Sequence, residues 1–171
     1  MINVNPSIQQ ARIDTPLGPK IFGLQLPETI FQNCVKLSND VWERKDHISW
    51  NHELVGHMKY QYYVPHSQLK EYGLFDYFYQ CFYWYLIKSS NQIEKRKDNL
   101  IIEIEAFWIN YQEEGEYNPV HNHGQATLSG AIHLREPEYE RTEDRKNEKD
   151  GTLTLINHSP IIYGLDKYSM N

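Results

Sequence analysis

Apolar side chains recur at helical spacing in the first half of the chain and at strand-like spacing in the second. Pro27 suits the first position of a helix. After it, Ile30, Cys34, Leu37 and Val41 repeat every three or four residues, and Phe31, Val35 and Trp42 widen the stripe. The pattern predicts a helix from Pro27 to about Lys45. A second helix is expected from Pro65 to Lys88, with Leu69, Tyr72, Tyr79, Tyr83 and Leu86 on one side and Phe75, Phe78 and Phe82 beside them. A stripe this broad suits a helix packed on a sheet. Residues 1 to 20 are polar and turn-rich and read as an extended arm, and Lys20 to Leu26 reads as a short strand. Residues 46 to 64 are ambiguous, with strand character from Lys59 to Val64.

The period changes after a charged turn, Ser89 to Asn99. Leu100 to Tyr111 is a strand-like run, followed by the turn-prone EEGEYNP. Gln125 to Arg135 is a second run. On it Ala126, Leu128, Gly130, Ile132 and Leu134 point one way, and Gln125, Thr127, Ser129, Ala131 and His133 the other. The second face is small and polar, as the wall of a wet pocket would be. Glu136 to Asp150 contains seven acidic and four basic side chains, which reads as a solvated loop. Thr152 to Asn157 and Ile161 to Gly164 are short strand candidates. No repeat or linker divides the chain, so one domain is expected over residues 1–171.

Composition narrows the function classes. A hydrophobic content of 40% with 13% aromatics is too apolar for disorder. A net charge of −6 argues against affinity built mainly on phosphate neutralisation. Cys34 and Cys81 are far apart and form no C-x-x-C, so a disulfide scaffold is not expected and a cytoplasmic location is the default. The N-terminal residues have neither the basic region nor the apolar stretch of a signal peptide. The longest apolar run, Tyr77 to Ile87, falls well short of the ~20 residues a membrane helix needs.

The strongest chemical signal is His121-Asn122-His123. In extended chain, side chains at i and i+2 share a face roughly 6.6 Å apart, so two imidazoles can converge on one metal ion. A lone H-x-H is a weak signal, and the plain alternative is two solvated loop histidines. Two other strings are decoys. His52 to His57 has the wrong spacing for H-E-x-x-H: i, i+5 puts the rings about 140° apart on a helix. The letters HNH do not amount to the nuclease motif, whose residues are dispersed through a ββα fold. Trp108 and the tyrosines at 77 to 85 could form a base-stacking platform, but the helical spacing of the latter fits core packing.

Trp108-Ile109-Asn110, Gly115, Asn118-Pro119, His121-Asn122-His123 and Leu128-Ser129-Gly130 together resemble a family of non-haem Fe(II), 2-oxoglutarate-dependent oxygenases. The match covers roughly the last third of the chain. The resemblance implies an α+β chain, mainly β with N-terminal helices, whose core is a double-stranded β-helix, the cupin-like jelly roll. Residues 1–99 would form the arm, helices and edge strands, and 100–171 the first part of the core. It also implies Fe(II) held by His121, His123 and a more distal His, with 2-oxoglutarate as small-molecule co-substrate on a distal Arg or Lys. Tyr111 or Asn110 would face that co-substrate, since a one-residue shift reverses the face. Ser129 is a candidate supporting donor, and His133 a candidate group behind the metal or at the substrate. His158 is the fallback third ligand.

The implied activity is hydroxylase-type C–H oxidation by a dioxygenase, with the primary substrate open among peptidyl prolines, nucleobases and small metabolites. Two departures stand out. His occupies the position where many of these oxygenases carry Asp, and no distal His…Arg/Lys pair follows. The expectation is therefore a jelly roll lacking its C-terminal part, with a long acidic loop over the substrate. The rivals are a cupin-like three-His metal protein that does not use 2-oxoglutarate, and an inactive β-helix serving as an interaction module.

Overall fold

The computed structural model describes residues 4–15, 20–44, 47–89, 95, 99–123, 126–136, 153–157 and 166–170. The chain order is α1 (Pro6–Gln9), β1 (Arg12–Asp14), β2 (Ile21–Gly23), α2 (Glu28–Glu43), β3 (Ile48–Ser49), β4 (Tyr60–Tyr63), α3 (His66–Glu71), α4 (Phe75–Ser89), β5 (Trp108–Tyr111), β6 (Leu153–Asn157) and β7 (Asp166–Met170). The class is α+β, with small antiparallel sheets of two, three and two strands. Among the described residues the helices outweigh the strands, so the expectation of a mainly β chain is corrected. No closed barrel is present among them.

The predicted first helix is α2. Pro27 caps it, Glu28 places a carboxylate in its first turn, and Cys34, Leu37 and Val41 are the buried stripe. The predicted second helix is two helices. Gly73 adopts φ +66°, a left-handed conformation that costs little without a Cβ. Its N–H donates to Lys70 O at 3.0 Å, and the Leu74 N–H donates to Leu69 O at 2.9 Å. These are the two hydrogen bonds of a Schellman C-cap, and Leu69 and Leu74 are both buried beside it. Periodicity runs through the break because Leu74 caps the next helix, its carbonyl accepting from Phe78 N–H at 3.0 Å.

The N-terminal segment is not a free arm. Asn5 caps α1, its Oδ1 accepting from Ser7 N–H at 3.0 Å, and the Asn5 N–H donates to Gln80 Oε1 at 2.8 Å. Ile8 is fully buried and Val4 nearly so. β1 then pairs with β2, Ile13 opposite Phe22. The arm reading failed because a polar average hides one or two anchoring apolar residues.

The central sheet has the order β3-β4-β5. β4 and β5 pair Tyr60 with Tyr111, Gln61 with Asn110, Tyr62 with Ile109 and Tyr63 with Trp108. Directly opposed residues share a face. Tyr60, Tyr62, Ile109 and Tyr111 therefore form one face, and Gln61, Tyr63, Trp108 and Asn110 the other. The first face meets the helices: Tyr62, Val64, Leu37, Val41, Tyr77 and Phe78 belong to one buried cluster. Trp42 of α2 lies edge-on to Tyr60 at 5.1 Å and against Tyr111 at 4.8 Å. Cys34 is buried in this core and Cys81 half-buried against it, and burial pushes Cys34 up to about 11 and Cys81 up to about 12. They are packing residues that stay protonated at neutral pH.

The two long strand-like runs are only partly strand. In Leu100 to Tyr111 the ladder is confined to β5, although Phe107 O accepts from Val64 N–H at 2.9 Å just before it. Residues 126–136 belong to no strand, which corrects that expectation. Leu134 packs against the core and Arg135 donates to Asn39 Oδ1 at 2.6 Å. Gly130 and Ile132, expected on the apolar face, are exposed. Alternation gives a chain its faces, but a ladder also needs a neighbour offering backbone groups, and no described residue does so here. The Ile161–Gly164 strand, most of the Ser89–Asn99 turn and nearly all of the Glu136–Asp150 loop lie outside the described residues. β6 pairs with β7, Leu153 opposite Met170 and Asn157 opposite Asp166.

Candidate metal-binding site

The loop that carries the two histidines is held by the segment preceding β4. It begins where β5 ends, in a turn closed by Glu116 N–H to Glu113 O at 3.1 Å, with Gly115 at φ +79°. Glu116 is the clasp. Its carboxylate accepts from Glu113 N–H at 2.8 Å and from Lys59 N–H at 3.0 Å, and its carbonyl accepts from Gln112 Nε2. Those backbone donors, with the Lys59 ammonium, hold the Glu116 carboxyl below the usual range. Lys59 also meets Glu113 Oε2 at 2.7 Å. Farther along, His57 N–H donates to Tyr117 O at 2.8 Å and the two rings stack at 5.0 Å.

These contacts deliver His121 and His123 to the second face of the sheet. The imidazole centroids are 5.0 Å apart with their planes at 70°, and Trp108 of β5 lies 5.9 Å from His123. His121 Nδ1 is 2.8 Å from Pro119 O. A carbonyl can only accept, so this nitrogen carries the hydrogen and the Nε2 lone pair is left free. The pKa of His123 is lowered, first by desolvation and then by the neighbouring His121 charge, which favours a neutral ring with an available lone pair.

The geometry suits two ligands on one ion. A metal bonded to each imidazole nitrogen at ~2.1 Å lies about 3.2 Å from each ring centroid, and bond angles of roughly 90–100° then put the centroids about 4.6–5 Å apart. Among the described residues no group of three His, Cys, Asp or Glu side chains converges as a metal-ligand set. His158 lies outside them.

The other expected residues separate. Tyr111 is on the opposite face from Trp108, half-buried under Trp42, with its hydroxyl donating to Ser38 O of α2. Burial raises its pKa, with the Ser38 hydrogen bond partly offsetting this. Asn110 is exposed and shares the Trp108 face. The register thus places Asn110, and not Tyr111, on the face that carries Trp108. Ser129 is exposed. His133 is exposed, its Nδ1 3.5 Å from Glu136 Oε1. The His52–His57 stretch is a turn followed by irregular chain, with no helix to align two imidazoles. What the sequence concealed is the holding pair, His57 and Lys59. These lie more than 50 positions from the residues they grip, and no local pattern marks such a contact.

No protein-family model matches the chain, and no curated protein or solved structure matches it. Among the described residues no helix is long and apolar enough to cross a membrane.

Proposed function

We propose that His121 and His123 are two of the ligands of a non-haem iron centre in an Fe(II)/2-oxoglutarate-dependent oxygenase with a jelly-roll core. The observation that carries the metal reading is the hydrogen bond from His121 Nδ1 to Pro119 O. It fixes the tautomer and leaves Nε2 for a cation, the arrangement expected behind a metal-bound histidine. The resemblance around Trp108, Asn118-Pro119 and Leu128-Ser129-Gly130 supports the oxygenase class.

Imidazole nitrogens suit Fe(II) in a site with open positions. Iron bound there would supply activation of O₂, coupled to oxidative decarboxylation of 2-oxoglutarate to succinate and CO₂ and to insertion of the second oxygen atom into a substrate C–H bond. The chain's own residues bind and orient. Trp108 walls the His123 side, and Asn110 offers amide donors to a carboxylate. Tyr111 has a structural part, tying β5 to α2.

The test is Fe(II)-dependent binding of 2-oxoglutarate under anaerobic conditions, followed by succinate release on admission of air. Binding that requires iron and is weakened by Asn110→Ala but not by Tyr111→Phe is the expected result. Tight Fe(II) binding with no affinity for 2-oxoglutarate would replace the oxygenase reading with that of a cupin-like metal protein.

A further inference from the structure

The Gln61 side chain faces the same side of the sheet as Trp108 and Asn110, yet it is 1% exposed. Its Nε2 donates to Asn51 Oδ1 at 3.4 Å, and the Gln61 N–H donates to the same oxygen at 3.2 Å. Asn51 cannot turn over, because its Nδ2 donates to Lys59 O at 2.9 Å. The Gln61 amide is therefore fixed from one end, and its other end, Oε1, is buried with no hydrogen-bond partner. An unsatisfied buried acceptor is costly and calls for a donor.

The structure shows what stands next to that oxygen. A Cβ built on Gly56 would fall 2.9 Å from Gln61 Oε1, 2.7 Å from Met58 Cε, and closest of all to the Asn118 side-chain oxygen. Gly56 is thus the floor of a small space that both amides border. Asn118 carries both an acceptor and a donor on the same planar group, and the two ends differ only by a half-turn about its last bond. With Nδ2 turned inward, it gives Gln61 Oε1 the donor it lacks. Asn118 lies one residue before Pro119, whose carbonyl fixes the His121 ring.

We propose that Gln61 is a positioning residue for the histidine pair, acting through a Gln61–Asn118 amide latch that closes over Gly56. The latch continues the series of holds begun by Glu116 and Tyr117, and it is the one nearest the imidazoles in sequence. It transmits the rigid register of β4 to Asn118-Pro119 and so to the Nδ1 acceptor of His121. Gly56 is required because any side chain there would occupy the space where the amides meet. The importance of this positioning for metal binding rests on the proposed function above, whereas the latch itself does not.

Both parts are tested with the intact chain. Side-chain amide resonances report the latch without any metal. The Asn118 Nδ2 protons should exchange with solvent at least tenfold more slowly than those of an exposed asparagine, and Gln61→Leu should abolish that protection. Asn118→Ala should shift the ring resonances of His121 and His123. Because Asn118 is exposed, that variant keeps the fold even if Gln61→Leu does not. Unprotected Asn118 protons, or imidazole resonances unmoved by Asn118→Ala, would overturn the latch. Co(II) titration then reads the consequence: Asn118→Ala should weaken binding about tenfold at unchanged thermal midpoint, as loss of a group behind a ligand does. Unchanged Co(II) affinity would overturn the positioning role. A wild-type chain that binds no Co(II) would remove the metal reading and with it that role, while the amide resonances still decide the latch.

Discussion

The two faces of the β3-β4-β5 sheet are built on opposite principles. One carries Tyr60, Tyr62, Ile109 and Tyr111 against α2, and it is held by burial and ring packing. The other carries Gln61, Tyr63, Trp108 and Asn110 toward the histidine loop, and it is held by hydrogen bonds to backbone groups, one surface ion pair and the exposed His57–Tyr117 stack. The first arrangement maximises apolar contact, which is strong and non-directional. The second contributes little apolar burial but fixes the orientation of particular atoms. Stability should therefore be concentrated on the helical side and chemistry on the other, and substitutions should separate the two.

The largest effects belong to the helical side. Leu69→Ala and Leu74→Ala empty fully buried positions and should each cost about 2–5 kcal/mol in urea unfolding. Ile8→Ala should fall in the same range, because Ile8 is core rather than arm. A loss below ~0.5 kcal/mol at Ile8 would return residues 4–10 to the status of a loose segment.

The two left-handed glycines sharpen the comparison. Gly73→Ala forces a Cβ onto φ +66° in a Schellman cap whose flanking Leu69 and Leu74 are buried and should cost roughly 1–2 kcal/mol. Gly115→Ala imposes a similar strain at φ +79° in an exposed turn that can yield. It should cost less in stability yet shift the His121 and His123 ring resonances, which Gly73→Ala should leave in place. If Gly73→Ala moved the imidazoles as much, the two sides would not be independent.

Acid provides a smaller perturbation confined to the loop. Glu116 has a pKa below the ordinary 4.5 because backbone N–H groups bind its charged form. Its contribution is present above 4.5 and is lost as the pH falls through the lower folded value. Loop resonances near Glu113 and Tyr117 should change in that window while the helical core keeps its near-ultraviolet circular dichroism. For His123 the shift is also downward, from 6.5, but on a cationic group. Metal affinity should therefore climb as pH rises toward 6.5 and level off beyond it, since protons compete less for a ring whose charged form is disfavoured.

How much was legible in advance follows the same division. α2 could be read from Cys34, Leu37 and Val41, because helical burial is written in local spacing. The His121/His123 pair could be read because an i, i+2 relation is local too. Position 73 was missed because continuous apolar periodicity outweighed a single glycine. Gln125–Arg135 reads as a strand because alternation is local, whereas the hydrogen-bonding neighbour a strand requires is not. Tyr111 and Asn110 could not be separated until the pairing of Tyr60 and Gln61 with β5 set the faces. The clasp on Lys59 and the Gly56 space depend on contacts between distant segments and left no trace in either segment alone.

The central claim is that His121 and His123 share one metal ion through nitrogens already oriented by the loop. The most direct measurement is a Co(II) titration near pH 7.5, following visible absorption and tryptophan quenching, for the wild-type chain and for His121→Ala and His123→Ala. One ion per chain is expected in the wild type. Each variant should lose at least tenfold in affinity at an unchanged thermal midpoint, since both rings are exposed. Equal affinity in all three proteins, or no binding in any, would contradict the claim.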